Sequence, residues 1–124
     1  VDAYNLASIE TEIAIAGFDA NKVRGTISMR QARAGEEFLG IGMMKPIVLE
    51  GGEIVLFDDE CLLALYPHRD AQHSCITFET KDVILLACGV PGIDEDKLHS
   101  ALDVAVSYVL RFCGGTFSSR NTPP

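Results

Sequence analysis

Between Lys45 and Pro67 the chain reads KPIVLEGGEIVLFDDECLLALYP, and this stretch limits the possible folds more than any other. Three short β-rich segments, Ile47 to Leu49, Glu53 to Phe57 and Leu62 to Tyr66, are punctuated by Gly51-Gly52 and Asp58-Asp59. Runs this short, separated by pairs of turn formers, predict strands joined as hairpins. Upstream, KVRGTISMRQA alternates around Ile27 and Met29 as a strand does, and RAGEEFLGIG turns at Gly35 into a second strand. Downstream, DVILLACGV is a continuous apolar run of strand length. That pattern predicts a central strand covered on both faces.

The block of strands lies between two helical patterns. At the start, VDAYNLASIETEIAIA places Leu6, Ile9 and Ile13 near helical spacing, which predicts a short helix running toward Gly17. Near the end, Asp94 is set to cap a long helix with Asp96 in its first turn. Its apolar stripe is Leu98, Leu102, Ala105, Val109 and Phe112, and Gly114-Gly115 stops it. The expected class is α+β, a mixed sheet or sandwich core with a helix at each end. One domain is expected over 1–115, with the polar TFSSRNTPP at 116–124 as a flexible tail. The first residue is Val rather than Met, so a fragment of a longer protein is expected.

A length of 124 residues with 48% hydrophobic content suits one globular core. No apolar run approaches the roughly 20 residues that a membrane helix needs. Cys61, Cys75, Cys88 and Cys113 are spread apart with no Cys-x-x-Cys pair, the pattern of reduced thiols in a cytoplasmic protein. The net charge of −8, from 18 acids and 10 bases, repels a phosphate backbone at long range. From Ala20 to Gly35, however, there is no acid, while Lys22, Arg24, Arg30 and Arg33 supply four of the ten bases. That segment is either an ordinary solvated strand or the one edge able to contact RNA, and binding there is expected to be weak.

The richest chemistry lies between Leu62 and Ile93, LLALYPHRDAQHSCITFETKDVILLACGVPGI. No Gly-rich phosphate loop of either common pattern occurs, so no nucleotide cofactor is expected. His68, His73 and His99 lack metal-ligand spacing, and no metal site is expected. Ser74 and Cys75 beside His73 tempt a nucleophile-and-base reading, but neighbours in an extended chain point to opposite faces. No catalytic residue is assigned. Arg69-Asp70 follows Pro67 at the end of an apolar strand, where irregular backbone presents side chains. Either Arg69 is a fork for a carboxylate or phosphate, or the pair braces its loop. Thr80 and Glu36 read first as a turn hydroxyl and a hairpin carboxylate, and second as pocket groups.

Five segments, VDAYNLAS, GFDANKVRG, ISMRQARAGEEF, LEGGEIVLFDD and FETKDVILLA, occur in order and at similar spacing to the editing domain of the phenylalanyl-tRNA synthetase beta subunit, its B3/B4 region. The resemblance runs from Val1 to about Ala87. With YPHRDA and GVPGI the chain is similar to stand-alone members of that family. The resemblance implies an α+β fold built partly as a β-sandwich, a role near tRNA, and in synthetases a pocket that hydrolyses wrongly attached tyrosine. Asn5, Asp19, Lys22, Gly25, Arg30, Gly35, Glu36, Asp70 and Thr80 match the family pattern. The editing constellation departs from it: Ala16 stands where the synthetase has His, Ala87 where it has Glu, and Pro67-His68 where it has a glycine pair. The leading expectation is a module that binds tRNA or an aminoacyl or amino-acid-like group, with His68, Arg69, Asp70 and Thr80 around the ligand. The alternative is a trans-editing deacylase whose chemistry has moved to His68 and His73.

Overall fold

The computed structural model describes residues 1–118 and has the order α1 (Asp2–Thr11), β1 (Ala14–Asp19), a 3-10 turn (Ala20–Lys22), β2 (Ser28–Gln31), β3 (Glu37–Phe38), β4 (Ile47–Val48), β5 (Ile54–Phe57), β6 (Leu62–Leu65), β7 (Arg69–Asp70), β8 (Val83–Cys88) and α2 (Glu95–Cys113). The class is α+β, with a helix at each end as the sequence predicts. The chain forms two compact units, Val1–Gly17 with the segment from Ile84 onward, and Phe18–Val83. Part of the expected tail, 119–124, lies outside the described residues.

In the first unit α1 packs against α2. Its buried residues are Ala3, Tyr4 and Ala7, and those of α2 are Ala101 and Ala105. Small side chains let two helix backbones approach closely. The expected stripe of α1 is therefore corrected: Leu6 is 42% and Ile9 76% exposed, the buried face carries Ala3, Tyr4 and Ala7 instead, and Ile13 is buried but lies beyond the helix. The helix also ends earlier than the spacing suggests. Glu12 takes the left-handed conformation at φ 58° as C-cap, Thr11 Oγ1 donates to the Ala7 carbonyl at 2.7 Å, and Ile13 begins the turn into β1. The alternation Ile13, Ile15, Gly17 is a strand period that the helical reading absorbed.

α2 is as predicted at both ends. The Asp94 carboxylate accepts from the Lys97 N–H at 2.9 Å, and the Gly114 N–H donates to the Leu110 carbonyl at 3.1 Å. Ala105 is buried, and Leu98, Leu102 and Val109 are half-buried, while Phe112 is exposed. The run DVILLACGV does form a strand, but β8 shares its sheet with β1 alone, and Ile84 to Ala87 are half-buried. It is not a central strand. A continuous apolar run specifies strand length without specifying the number of neighbours.

The second unit holds a four-stranded antiparallel sheet in the order β2-β5-β6-β7 and a separate β3-β4 pair. Ala32, Phe38, Leu49, Val55 and Ala71 make a buried cluster, with Leu62 and Leu65 packed against it. The Asp58-Asp59 turn joins β5 to β6 as a hairpin, as the sequence suggests. The Gly51-Gly52 turn does not make one: β4 pairs with β3, and β5 pairs with β2 and β6. Both glycines have positive φ, 105° and 92°, and the Gly52 N–H is held by the Ala32 carbonyl, so the chain passes between two sheets there. The short strand β7 was not read from the sequence. Two residues between Pro67 and a polar loop carry no periodicity.

Candidate functional site

Arg30 projects from β2, opposite Val55. Six residues on, after a turn with Gly35 at φ 92°, Glu36 returns to meet it. The guanidinium makes a two-pronged bond, Nη1 to Oε2 at 2.8 Å and Nη2 to Oε1 at 2.6 Å, and Oε2 also accepts the Arg33 N–H at 2.7 Å. Arg30 lies over the Phe57 ring at 4.8 Å. The Arg30 bonds, followed by the Arg33 N–H, pull the Glu36 carboxyl down to about 2. Arg30 and Glu36 thus close a loop at one wall, and their charges cancel.

A second wall is the β5–β6 turn. The Asp58 side chain accepts from the N–H groups of Glu60 and Cys61 through Oδ1 and of Arg24 through Oδ2, each at 2.8 Å. Burial pushes this carboxyl up, but the three N–H donors and the charge of nearby His73 outweigh it and hold it below the usual range. Burial, then Asp58 and Glu60, push the Cys61 thiol up, so it is a poor nucleophile. Gly25 is required beneath this turn. Its φ is +77°, and a Cβ there would lie 1.9 Å from Asp59 Oδ2. The register shift between Leu56 and Phe57 brings Phe57 opposite Leu62.

Between these walls is a cavity of about 630 Å³, within the ordinary range for small-molecule sites. Phe38, Leu39, Phe57, Leu62 and Ala71 give it an apolar surface, and Arg30, Arg33, Glu36, Glu37, Asp58, Asp59, Glu60, Cys61 and His73 give it a polar one. Two of its five carboxylates, Glu36 and Asp58, are satisfied internally. Glu37, Asp59 and Glu60 make no side-chain hydrogen bond or salt bridge among the described residues, and acids outnumber the cations Arg30 and Arg33. The cavity suits a small cationic group attached to an apolar body.

Of the residues nominated from the sequence, Arg30, Arg33, Glu36 and His73 line this cavity, and Lys22, Arg24, His68, Arg69, Asp70 and Thr80 do not. Arg69 donates through Nη1 to the Ile41 carbonyl at 2.8 Å, and its stem lies where a Cβ on Gly40 would be, 2.4 Å from Cδ. With the Gly40–Ala71 bridge and the Gln72 N–H donating to the Leu39 carbonyl, it laces the loop after β3 to β7. Asp70 is half-buried, and burial raises its carboxyl. His68 is exposed on the turn before β7. Thr80 accepts the Thr77 N–H and donates to Asp19 Oδ2, both at 2.9 Å, so its hydroxyl is a turn brace. Among the bases, Lys22 lies 3.8 Å from Asp19, Arg24 bonds the carbonyls of Asn21 and Val23, and Arg33 keeps its guanidinium exposed. The carboxylates of the run Phe57–Glu60 were missed as site residues. An acid-rich turn was visible in the sequence, but it served there only to separate strands.

A family model described as the B3/4 domain matches residues 1–114. The phenylalanine–tRNA ligase beta subunit of Fusobacterium nucleatum is 32% identical across 93% of this chain, which spans 17% of that protein. The subunit of Chromobacterium violaceum is 29% identical across 93% of the chain and 18% of its own length. The chain therefore spans about a sixth of the length of these curated relatives. Among solved structures, an N-terminal fragment of the phenylalanyl-tRNA synthetase beta-subunit from Pyrococcus horikoshii has a similar fold, with a TM-score of 0.69 at 19% identity over 86% of this chain and 37% of that one.

Proposed function

Because the chain belongs to the B3/4 domain family, we propose that it is a module binding an aminoacyl or amino-acid-like group, such as that on the acceptor end of a tRNA, without the hydrolytic chemistry of an editing domain. The observation that carries this reading is the cavity beside Phe57, with an apolar wall and three unpaired carboxylates. An α-ammonium is drawn to Glu37, Asp59 and Glu60, while the side chain of the amino acid packs on Phe38, Leu39 and Leu62. At about 4 Å an unscreened pair of this kind is worth roughly 1 kcal/mol in water and about 4 kcal/mol near a protein surface. Ala16 and Ala87, where the related synthetase pattern has His and Glu, offer no group to orient water or hold a substrate hydroxyl. Phosphates of the tRNA meet Lys22, Arg24 and Arg33, whereas Arg30 is committed to Glu36.

Calorimetric titration with phenylalaninamide and its N-acetyl derivative tests the assignment. The amine is expected to bind and the acetylated compound to bind at least tenfold more weakly, with Glu37→Gln and Glu60→Gln each weakening only the amine. Equal affinity for the two compounds overturns it.

One observation favours a second reading, a deacylase. His73 lines the cavity close to Asp58, the placement a relocated general base requires, whereas His68 stays outside it. Hydrolysis of mischarged tRNA well above background, abolished by His73→Ala, selects this alternative.

A further inference from the structure

Among the described residues, Phe78 has no partner for its ring. Its relative exposure is 111%, more than the residue shows in an extended chain. A lone exposed aromatic on a floppy loop calls for no explanation, but this one stands on a fixed base. The Thr80 N–H donates to the Thr77 carbonyl at 3.1 Å, the Thr77 N–H to Thr80 Oγ1 at 2.9 Å, and the Glu79 N–H to Thr77 Oγ1 at 3.2 Å. Thr80 Oγ1 in turn donates to the carboxylate of Asp19, a residue only 5% exposed. The Asp19 N–H is held by the Ser74 carbonyl at 3.0 Å, and the Ala20 N–H by the Asp82 carbonyl at 2.9 Å. The turn is thus bonded within itself and to the segment of Asp19 and Ala20, and from this held backbone the ring stands in solvent.

The surroundings select the partner. Lys22 approaches the same Asp19 oxygen that Thr80 occupies, at 3.8 Å, and Lys81 follows Thr80 directly, exposed and without a salt bridge among the described residues. Glu79 and Asp82 are exposed on the same segment and Asp19 faces Lys22, so three acids stand beside two lysines and the neighbourhood is not basic. With a net charge of −8 on the chain, a duplex with its dense row of phosphates is a poor match. One unpaired nucleotide is a better one: a flat π face for the ring, and no more than one or two phosphates for the ammonium groups of Lys22 and Lys81 on the segments bonded to this turn.

We propose that Phe78 is a stacking platform for an unpaired base at the single-stranded end of an RNA, with Lys22 and Lys81 taking the adjoining phosphates. This rests on the tRNA-directed reading above and deepens it by naming the part of the RNA that is held. The ring supplies affinity without reading sequence, since every base has a π face.

The test uses the full chain and fluorescence anisotropy of two labelled RNAs, a single-stranded hexamer and a blunt hairpin without overhang. The hexamer is expected to bind more tightly than the hairpin. Phe78→Ala weakens hexamer binding by about 5- to 150-fold, the range that base–aromatic stacking corresponds to, with the salt slope unchanged. Phe78→Trp retains binding, and Lys22→Ala and Lys81→Ala each reduce the salt slope by about 0.7. Phe78, Lys22 and Lys81 are all exposed, so none of these variants removes a core contact. Hexamer affinity within twofold of wild type in Phe78→Ala overturns the platform, as does equal affinity for hexamer and hairpin. Self-association that Phe78→Ala abolishes also overturns it, in favour of a protein contact. Phenylalaninamide titrated into the same proteins separates this inference from the proposed function. Amine binding without a Phe78 effect on RNA sinks only the platform, and Phe78-dependent RNA binding without amine binding sinks only the cavity assignment.

Discussion

Glu36 shows how a single residue that reads as a hairpin carboxylate becomes the hinge of a site wall. It accepts two bonds from Arg30 and one from the Arg33 N–H, and its carboxyl falls to about 2. A carboxyl whose folded value lies below its unfolded one stabilises the fold above the unfolded value, near 4.5, and loses that contribution as pH falls toward about 2. The difference in urea midpoint between wild type and Glu36→Gln is therefore expected to be largest at pH 6 and to shrink between pH 4.5 and 2. A difference independent of pH contradicts the ion pair. Gly25 gives a second test at this scale. Gly25→Ala combines a strained φ of +77° with a collision against Asp59, for a loss of about 1–3 kcal/mol in stability. Asp59→Ala in the same chain should recover the collision part and leave the strain, so a double variant no better than Gly25→Ala rejects the clash.

Among the elements, β7 is the one whose role the sequence hid. Arg69 and Asp70 were equally readable as a recognition fork or a brace, because a dipeptide does not reveal what lies 28 residues upstream. In the structure Arg69 reaches the Ile41 carbonyl and lies across Gly40. Gly40→Ala is expected to cost about 1–3 kcal/mol by overpacking, and Arg69→Ala to remove most of that penalty when the two are combined, as measured by denaturant unfolding. Additive losses would show that the two positions do not touch. The acid-free segment behaves differently along its length. Since Arg30 is tied to Glu36, replacing Lys22, Arg24 and Arg33 by Ala should lower the salt slope of tRNA binding by about 2–3, and adding Arg30→Ala should lower it no further. A fourth increment of similar size would put Arg30 on the RNA. The β-hairpin between Ile54 and Leu65 and the capped helix Glu95–Cys113 were legible because each carries its own local signal, paired turn residues in one and an N-cap with a C-terminal glycine in the other.

For the molecule as a whole, the class was legible and the partnering of strands was not. Alternation and apolar runs locate strands, but β4 turned out to pair with β3 across a long loop, and β8 with β1 alone, because sheet neighbours are chosen by chain paths that no window of sequence contains. The same limit applied to the site. Arg30, Glu36, Phe57 and Asp58 come from separate strands and turns, and only the folded second unit assembles them around a cavity. Matching positions shared with the synthetase family pointed to Arg30 and Glu36 without saying that they bind each other. The proposed function requires that a primary ammonium group be received in this cavity rather than on the His68–Asp70 loop. A two-dimensional amide NMR titration of the isotope-labelled chain with phenylalaninamide separates the two places. Saturable shifts confined to Glu36–Leu39, Phe57–Leu62 and His73 are predicted, and they should be absent with the N-acetyl derivative. Shifts centred on His68, Arg69 and Asp70, or the same shifts with both compounds, would contradict it.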